Sequence, residues 1–251
     1  MNYKQITDEY YGYWIGADEN IDTIKGVRFV FSRERDIIQK GYSTRSDLYI
    51  WSQPGKLIVS YGTKTENRIE DLRNKLVPEM LPDEILRIMR DTFEAETGHN
   101  VKYLFECVTT GKNNTQTLSN KDFRYYLEFF KAVHPGFPDS DADWLEEYFA
   151  GMVLDKTCVG VFADGKIVSC TDAPEMPYIP DKVQEIGINT LEAYRGKGYA
   201  SSVCAKCAAN IIANGKVPQW STQISNIPSQ KLAEHIGFKK YADVLTLKVA
   251  D

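Results

Sequence analysis

The sequence has no long hydrophobic run and no excess of basic residues. No stretch of about 18 apolar residues is present, and the N-terminus has no apolar segment of the kind that a signal peptide requires. Lysine and arginine total 30 against 35 for aspartate and glutamate, so the net charge is -5 at pH 7. Such a chain has no basic surplus to neutralise a phosphate backbone. We therefore expect a soluble cytoplasmic protein whose partners include neither a membrane nor a nucleic acid.

Cysteine and histidine are also scarce, at five and three residues. The cysteines are scattered and odd in number, which indicates reduced thiols rather than a disulfide framework. Cys204 and Cys207 have the spacing of a redox or zinc pair, but no second pair accompanies them, and we interpret both as small residues that pack within a helix. The histidines lack metal-ligand spacing, so no metal site is predicted. The hydrolase motif Gly-x-Ser-x-Gly and the phosphate loop Gly-Lys-Ser/Thr are absent as well.

What the sequence does contain is enough for a folded core. Its 251 residues, 43% of them hydrophobic, allow one large domain or two of ordinary size. In the first half, Gln53, Pro54 and Gly55 separate two runs of β-forming residues, which predicts a hairpin. A strand is predicted before this hairpin and two helices after it. The predicted bounds are 26–31 for the strand, 47–52 and 56–61 for the hairpin strands, and about 65–75 and 81–96 for the helices.

A polar, turn-rich stretch at 111–117 predicts a domain boundary. We place an N-terminal α/β domain at 1–115 and a second domain at 116–251. Two helices open the second domain, and the Asp164-Gly165 turn predicts a hairpin after them. The remaining pattern predicts strand 183–190, helix 199–214, strand 219–224, helix 228–235 and strand 241–249.

The most informative segment is the turn that joins strand 183–190 to the helix after it. Gly196 and Gly198 leave room for the backbone to approach a bulky anion, and the first N–H groups of a helix lack partners within the helix. Together with the positive end of the helix dipole, these groups predict a pyrophosphate cradle. Arg195 and Lys197 would add positive charge at its rim, unless they are merely solvated turn residues. Because a Gly-x-Gly pair by itself is common in loops, the interpretation depends on the surrounding residues.

Two blocks of residues resemble the GNAT acetyltransferase superfamily. Arg195, Gly198 and Ala200 occupy the positions of its phosphate-binding signature, which reads Arg or Gln, two residues, Gly, one residue, then Gly or Ala. The segment 226–238, which begins with Asn and ends with Gly-Phe, is similar to the segment that follows the next strand in that family. The resemblance covers roughly residues 120–251. It implies an α/β (α+β) fold with a mixed central sheet, two splayed strands and flanking helices, and acetyl-CoA as co-substrate.

The resemblance also implies a reaction, the transfer of an acetyl group from acetyl-CoA to a primary amine of a small molecule. The main chain at Ile188 and Thr190 would hold the pantetheine arm and the acetyl carbonyl. Asn226 and Ser229 would contact the cofactor from the other side of the splay, although Asn226 could simply start a turn and Ser229 could cap a short helix. The implied cofactor-binding residues are Ile188, Asn189, Thr190, Arg195, Gly196, Lys197, Gly198, Tyr199, Ala200, Ser201, Asn226 and Ser229.

Two residues are candidates for proton transfer. Glu185 lies on the strand that leads to the cradle, near the position of a glutamate base in several family members, and could take the proton of the amine. It could equally face solvent or pair with a lysine. The family's tyrosine acid is replaced here by Ala233, and Tyr241 is a candidate substitute, although a tyrosine at the start of a strand also fits core packing. The missing acid favours one alternative function, a non-catalytic acyl-CoA-binding or regulatory module.

The first half of the chain resembles that of a two-domain bacterial group that includes the zwittermicin A resistance acetyltransferase. This finer resemblance rests on length, domain order and the Gly-Lys-Ile-Val-Ser run at 165–169. Such a half could close one wall of the acceptor pocket, extend the core or form a homodimer contact. The negative net charge favours a cationic acceptor. Acidic residues that could receive it, unless they are solvated loop or cap residues, are Asp139, Asp141, Asp172 and Glu175.

Overall fold

The computed structural model describes residues 1–250 and all of their side chains except that of Asp139, whose predicted role therefore lies outside the described residues. Within this range, no helix has both the length and the apolar character needed to cross a membrane. The helices are α1 (Tyr3–Ile15), α2 (Thr63–Glu66), α3 (Ile69–Arg73), α4 (Pro82–Phe93), α5 (Phe123–Val133), α6 (Ala142–Leu154), α7 (Tyr199–Ala213) and α8 (Ile227–His235). The strands are β1 (Gly26–Phe31), β2 (Leu48–Gln53), β3 (Lys56–Tyr61), β4 (Glu96–Phe105), β5 (Gln116–Thr117), β6 (Val159–Ala163), β7 (Lys166–Asp172), β8 (Val183–Glu185), β9 (Gly187–Thr190), β10 (Val217–Gln223) and β11 (Phe238–Lys248).

Local signals determine where several helices begin and end. The Asn2 side chain accepts the Gln5 N–H at the start of α1, and Gly16 ends that helix in the left-handed conformation. Pro82 occupies the first position of α4, where a missing N–H breaks no intrahelical bond. The single helix predicted at 65–75 is wrong: two short helices, α2 and α3, occur instead, because the backbone leaves helical geometry at Arg68.

A seven-stranded sheet spans both halves of the chain, in the order β1-β3-β2-β11-β4-β10-β8. β4 is absent from the elements predicted above. It lies between β11 and β10 and is antiparallel to both, so that Val101 pairs with Asp243 on one side and with Thr222 on the other. The sheet therefore joins strands from both sides of the predicted boundary near residue 115. That the two sides are separate domains stays a prediction.

A second sheet, in the order β5-β6-β7-β9, separates from the first at Ile186. Before that residue, β8 pairs with β10 in parallel. After it, β9 pairs with β7 in antiparallel fashion, and Gly187 lies opposite Asp172. The strand predicted at 183–190 is therefore divided between two sheets. An opening separates β9 from the later residues of β10, which is the splay that the resemblance implies.

The two faces of the large sheet carry different helices. On one face, α7 and α8 cover a buried cluster that includes Val101, Trp220 and Val203. On the opposite face lies α1, where the Tyr11 and Trp51 ring centroids are 4.6 Å apart. α5 and α6 pack on the second sheet. The glycine turn and α7 are thus on one side of the large sheet, and α1 is on the other.

The cysteine pair of α7 lies in the core. Cys204 and Cys207 are both fully buried, and the Cys207 thiol donates to the Thr157 carbonyl oxygen at 3.2 Å. Burial raises the pKa of Cys207 to about 12, so this thiol stays protonated near neutral pH. The predicted packing role of both cysteines is confirmed.

A glycine permits the close passage between the end of β4 and the start of β11. Gly237 has a φ of +98°, and a Cβ atom there would lie 2.0 Å from the Cys107 carbonyl oxygen. We expect Gly237→Ala to lower the free energy of unfolding by at least about 2 kcal/mol, because the backbone conformation and the overlap are both unfavourable. Urea denaturation measures this change.

The matched control for this prediction is Gly165→Ala. Gly165 also has a positive φ, +75°, but a Cβ atom there would meet nothing within 4 Å. We expect a loss of about 1 kcal/mol from the backbone conformation alone. Equal losses in the two variants would contradict the interpretation of Gly237 as a site of close approach.

Candidate functional site

The turn between β9 and α7 presents backbone N–H groups to an anion. Gly196 and Gly198 have φ values of +76° and +77°, which let the chain fold back before the helix begins. Gly198 precedes α7 directly, and no side chain caps the helix there. The first N–H groups of α7 therefore remain available at the positive end of the helix dipole. Arg195 lies at the rim, where its Nε donates to the Thr190 carbonyl oxygen at 3.3 Å.

This turn forms one wall of a cleft of about 570 Å³ between β9 and α8. The cleft brings together every predicted cofactor-binding residue except Lys197, whose Nζ lies 4.8 Å from the centroid of the Tyr194 ring. Tyr194, Pro228 and Leu232 add surface that is not among the predicted site residues. The lining residues are Ile188, Asn189, Thr190, Tyr194, Arg195, Gly196, Gly198, Tyr199, Ala200, Ser201, Asn226, Pro228, Ser229 and Leu232.

Both splayed strands leave one hydrogen-bonding edge free. β9 is the last strand of its sheet and pairs with β7 alone among the described strands. The residues of β10 after Gln219 pair with β4 on one side, and no strand within residues 1–250 pairs with their other side. Free backbone groups on two diverging strands suit an extended chain of amide groups lying between them.

Side chains hold the walls of the cleft in place. Asn226 Oδ1 accepts the Ser229 N–H at 3.2 Å and so caps α8, while the Trp220 indole N–H donates to Ser229 Oγ at 3.2 Å. The cap of α8 is therefore Asn226 rather than Ser229. On the other wall, the Asn113 side chain donates to the Lys197 carbonyl oxygen at 3.2 Å. The turn-rich segment around residue 113 thus braces the glycine turn, a role that its composition does not indicate.

Glu185 lies at the end of β8, immediately before the strands diverge. Its Oε1 accepts a hydrogen bond from the Ser221 hydroxyl, and its N–H lies 3.2 Å from Met176 Sδ. The side chain is on the face of the sheet that α1 covers, within electrostatic range of Tyr10 and Tyr42. Burial raises the pKa of both phenols, and the Glu185 charge adds to the rise. Glu185 is therefore held at the apex of the splay by a serine that sequence reasoning does not single out.

Tyr241 lies elsewhere. Its hydroxyl donates to the Asp8 carboxylate, and its ring meets Trp51 edge-on with centroids 5.8 Å apart. Burial and the bond to Asp8 raise the pKa of Tyr241 above its usual value. Ala233, at the position of the family's acid, is fully buried in the core. The structure does not bring Tyr241 into the cleft that gathers the predicted cofactor residues.

A second cavity, of about 480 Å³, lies beside α5, α6 and the end of β7. Asp172 and Glu175 line this cavity, and Asp141 does not. Asp172 accepts a hydrogen bond from the Tyr148 hydroxyl and lies opposite Gly187, the first residue of β9. The cavity is therefore at the end of β9 that is remote from the glycine turn. Its other lining residues are Gly41, Phe130, His134, Trp144, Glu147, Tyr148 and Pro174.

Two of the three histidines make packing or pairing contacts. His99 of β4 lies 2.8 Å from an Asp243 carboxylate oxygen of β11, and the His134 ring packs 4.3 Å from that of Phe130. Among the side chains that the structure describes, no group of three or more from histidine, cysteine, aspartate and glutamate is arranged to hold a metal ion.

The fold and the cleft together resemble those of one class of protein. A mixed sheet that splays beside a glycine turn at a helix N-terminus is the architecture that the resemblance to GNAT acetyltransferases implies. A solved structure described as an acetyltransferase from the GNAT family of Colwellia psychrerythraea superposes with a TM-score of 0.52 at 16% identity, over 74% of this chain and 72% of that one. At this identity the likeness concerns the fold alone, and it confirms the predicted α/β fold class.

Comparison of sequences supports the same superfamily for the second half of the chain. Residues 157–243 match the family model described as GNAT acetyltransferase. A curated relative, the uncharacterized N-acetyltransferase YdfB of Bacillus subtilis (strain 168), is 46% identical over 55 residues, which are 22% of this chain and 21% of the relative. The match thus spans about a fifth of that relative's length. These comparisons do not test whether the chain belongs to the two-domain subgroup, so that membership stays a prediction.

Proposed function

We propose that this protein is an N-acetyltransferase that transfers an acetyl group from acetyl-CoA to a primary amine of a small molecule. The observation behind the proposal is the cleft between β9 and α8, which combines a glycine turn at a helix N-terminus with free edges on two strands. The first feature suits a pyrophosphate, and the second suits an amide-containing arm. Acetyl-CoA contains both groups and, when bound, supplies an activated thioester.

Each wall of the cleft would hold a different part of the co-substrate. The backbone N–H groups at 196–200 would bind the pyrophosphate, and Arg195 would add positive charge at the rim. The main chain at Ile188 and Thr190 would pair with the amides of the pantetheine arm. On the opposite wall, Asn226 caps the first turn of α8, which lines the cleft.

Glu185 would accept the proton that the amine loses. Ser221 holds Oε1, which leaves Oε2 to take the proton as the amine nitrogen bonds to the acetyl carbon. The bond between that carbon and the CoA sulfur breaks, and the sulfur leaves as a thiolate. Since neither Ala233 nor Tyr241 offers an acid at the cleft, we assign the protonation of the thiolate to water.

The acidic cavity beside β9 supports an amine as the acceptor. Asp172 and Glu175 line it together with the stacked rings of Trp144 and Tyr148. Carboxylates attract a cationic group, and aromatic rings bind both its charge and its apolar surface. Because this cavity is at the start of β9, an acceptor bound there would lie near Glu185, which precedes that strand by two residues. The net charge of -5 also favours a cationic acceptor.

A second candidate function is a non-catalytic acyl-CoA-binding or regulatory module. The buried Ala233, which stands where the family has a tyrosine acid, is the observation that favours it. The two functions share the cleft and differ in turnover. The cytoplasmic location, a homodimer and membership of the group that includes the zwittermicin A resistance acetyltransferase stay predictions.

Release of CoA in the presence of a panel of amines separates the two functions. We expect saturable acetyl-CoA binding by calorimetry, and CoA release with cationic amines at least about tenfold faster than without amine. A thiol-detection assay measures this release. A binding module would saturate with acetyl-CoA yet release no CoA with any amine. Failure of the whole chain to bind acetyl-CoA would contradict both functions.

A further inference from the structure

Two helices supply aromatic side chains to the second cavity, which lies beside α5, α6 and the end of β7. Phe130 of α5 lies four residues before His134, and Trp144 lies four residues before Tyr148 on α6, so each pair shares one face of its helix. The ring centroids of Phe130 and His134 are 4.3 Å apart. Those of Trp144 and Tyr148 are 5.5 Å apart, with the ring planes only 6° from parallel. The cavity therefore offers flat aromatic surfaces to a ligand.

Trp144 is more exposed than tryptophan usually is in a folded protein. Its side chain is 56% exposed, whereas the other three tryptophans are buried. Tyr148 stacks on one face of the indole and donates its hydroxyl proton to Asp172, which fixes the surface under the indole. The other face of the indole is left available to a ligand in the cavity.

The carboxylate of Asp172 has one oxygen in use and one to spare. Oδ1 accepts hydrogen bonds from the Tyr148 hydroxyl and from the Ala173 N–H, the second at 2.9 Å. Oδ2 is left to bind a cation. A Cβ atom at Gly187 would lie 3.4 Å from Oδ2, so this oxygen lies beside the first residue of β9. The next residue, Ile188, lines the cofactor cleft.

Two other carboxylates line the second cavity. Glu175 pairs with Lys40 at 3.0 Å, and Glu147 is exposed on α6. Asp172 is thus the carboxylate that lies beside β9, and a cationic group bound to its Oδ2 would be close to the strand that leads to the cofactor cleft. The rest of such a ligand would extend toward the aromatic side chains of α5 and α6.

We propose that the acceptor is an aromatic primary amine, in which a short chain joins the amino group to a flat ring, and that Trp144 selects it by stacking on that ring. The inference rests on the proposed function and names its substrate class. Asp172 binds the amino end beside β9, and the aromatic surfaces bind the ring. A volume of about 480 Å³ is within the range of roughly 300–1,000 Å³ that small-molecule sites occupy. An aliphatic amine or a polyamine would leave the aromatic surfaces without a partner.

Rates of CoA release with 2-phenylethylamine, n-butylamine and spermidine test this inference. We expect kcat/KM to be at least about tenfold higher for 2-phenylethylamine than for the other two amines. Trp144→Ala should lower the value for 2-phenylethylamine about tenfold, through KM, and change that for n-butylamine less than about twofold. Trp144→Phe retains a flat ring and should keep most of the preference. Asp172→Asn should weaken both amines alike, because it removes the charge and leaves the rings.

Tyr125→Ala is the matched control. Tyr125 is another exposed aromatic residue, on α5, but its ring contacts Phe162, with centroids 5.5 Å apart, and it does not line the second cavity. This variant should leave kcat/KM for all three amines unchanged. Equal values for 2-phenylethylamine and n-butylamine or spermidine, or an equal loss for all amines in Trp144→Ala, would overturn the inference and leave the proposed function standing.

If no amine supports CoA release, the proposed function fails, and binding of 2-phenylethylamine then decides whether the cavity takes an aromatic amine. Saturation-transfer NMR detects contact between the protein and the ring protons of this amine, with CoA present and absent. A signal that Trp144→Ala loses and Tyr125→Ala keeps supports the inference. Equal signals in the two variants, or none with the unchanged protein, overturn it. Trp144→Leu replaces the alanine variant in both experiments if thermal unfolding shows that the alanine variant is not folded.

Discussion

Gly198→Trp is expected to weaken acetyl-CoA binding at least about 100-fold, which corresponds to roughly 2.7 kcal/mol. Gly198 has a φ of +77°, a conformation that costs an L-residue roughly 1–2 kcal/mol, and it lines the cleft directly before α7. An indole ring there would also fill the space in which the first N–H groups of the helix meet an anion. Calorimetric titration of the whole chain with acetyl-CoA measures the change.

Gly215→Trp is the matched control. Gly215 has nearly the same backbone conformation, with a φ of +78°, at the other end of α7, and a Cβ atom there would meet nothing within 4 Å. Its affinity for acetyl-CoA should stay within about twofold of that of the unchanged protein. Thermal unfolding of both variants shows whether each is folded. If Gly198→Trp binds acetyl-CoA as well as Gly215→Trp does, the glycine turn is not the anion site.

Glu185→Gln is expected to lower kcat by about 100- to 10,000-fold, the range that general base catalysis contributes. Glutamine keeps the shape of the side chain and can still accept the Ser221 hydrogen bond, but it cannot act as the base. The Kd for acetyl-CoA should change less than about twofold, since Glu185 does not line the cleft. Steady-state CoA release over a range of pH measures kcat and shows whether the activity still falls at low pH.

Two further variants are compared with Glu185→Gln to show that its loss of kcat comes from the carboxylate of Glu185. Glu106→Gln neutralises an exposed carboxylate just beyond β4 and should leave kcat and the pH profile unchanged. Ser221→Ala removes the hydrogen bond to Oε1 and should give a smaller loss of about tenfold. If Glu185→Gln keeps the kcat and the pH profile of the unchanged protein, Glu185 is not the base.

The glycine turn and its helix could be predicted from the sequence because the interactions that define them are local. A glycine before a helix N-terminus leaves the same N–H groups free wherever the helix packs. Residues 188–201 form one short segment, so chain connectivity alone keeps the strand edge, the turn and the helix start together. The sequence signal for this wall of the cleft was therefore strong.

β4 could not be predicted in the same way. Its apolar residues Val101, Tyr103 and Phe105 alternate only in its second half, and its first half reads Glu-Thr-Gly-His-Asn, which is typical of a loop. The segment is a strand because β10 and β11 flank it, and the first of these begins only at Val217. Tertiary pairing overrides local propensity at such a position.

Lys102, Ser221 and Glu185 form a row across β4, β10 and β8 on one face of the large sheet. This row also depends on how the strands are paired. These residues share a face because β4 and β8 both pair with β10, at Ser221 and at Gln219 respectively. A shift of one residue in either pairing would turn a side chain of the row to the opposite face. No spacing in the sequence specifies that register, so the lysine and the serine could be found only in the folded chain.

The position of β4 also affects the order in which the chain can fold while it is being synthesised. Ribosomes add about 5–20 residues per second, so β4 waits roughly 5 to 20 s for β10 to be translated. During that interval both of its edges are unpaired, and an unpaired strand edge is a template for association with other chains. The nascent first half can thus associate with other chains through β4 during this stage. That stage ends when β11 arrives and closes the remaining edge.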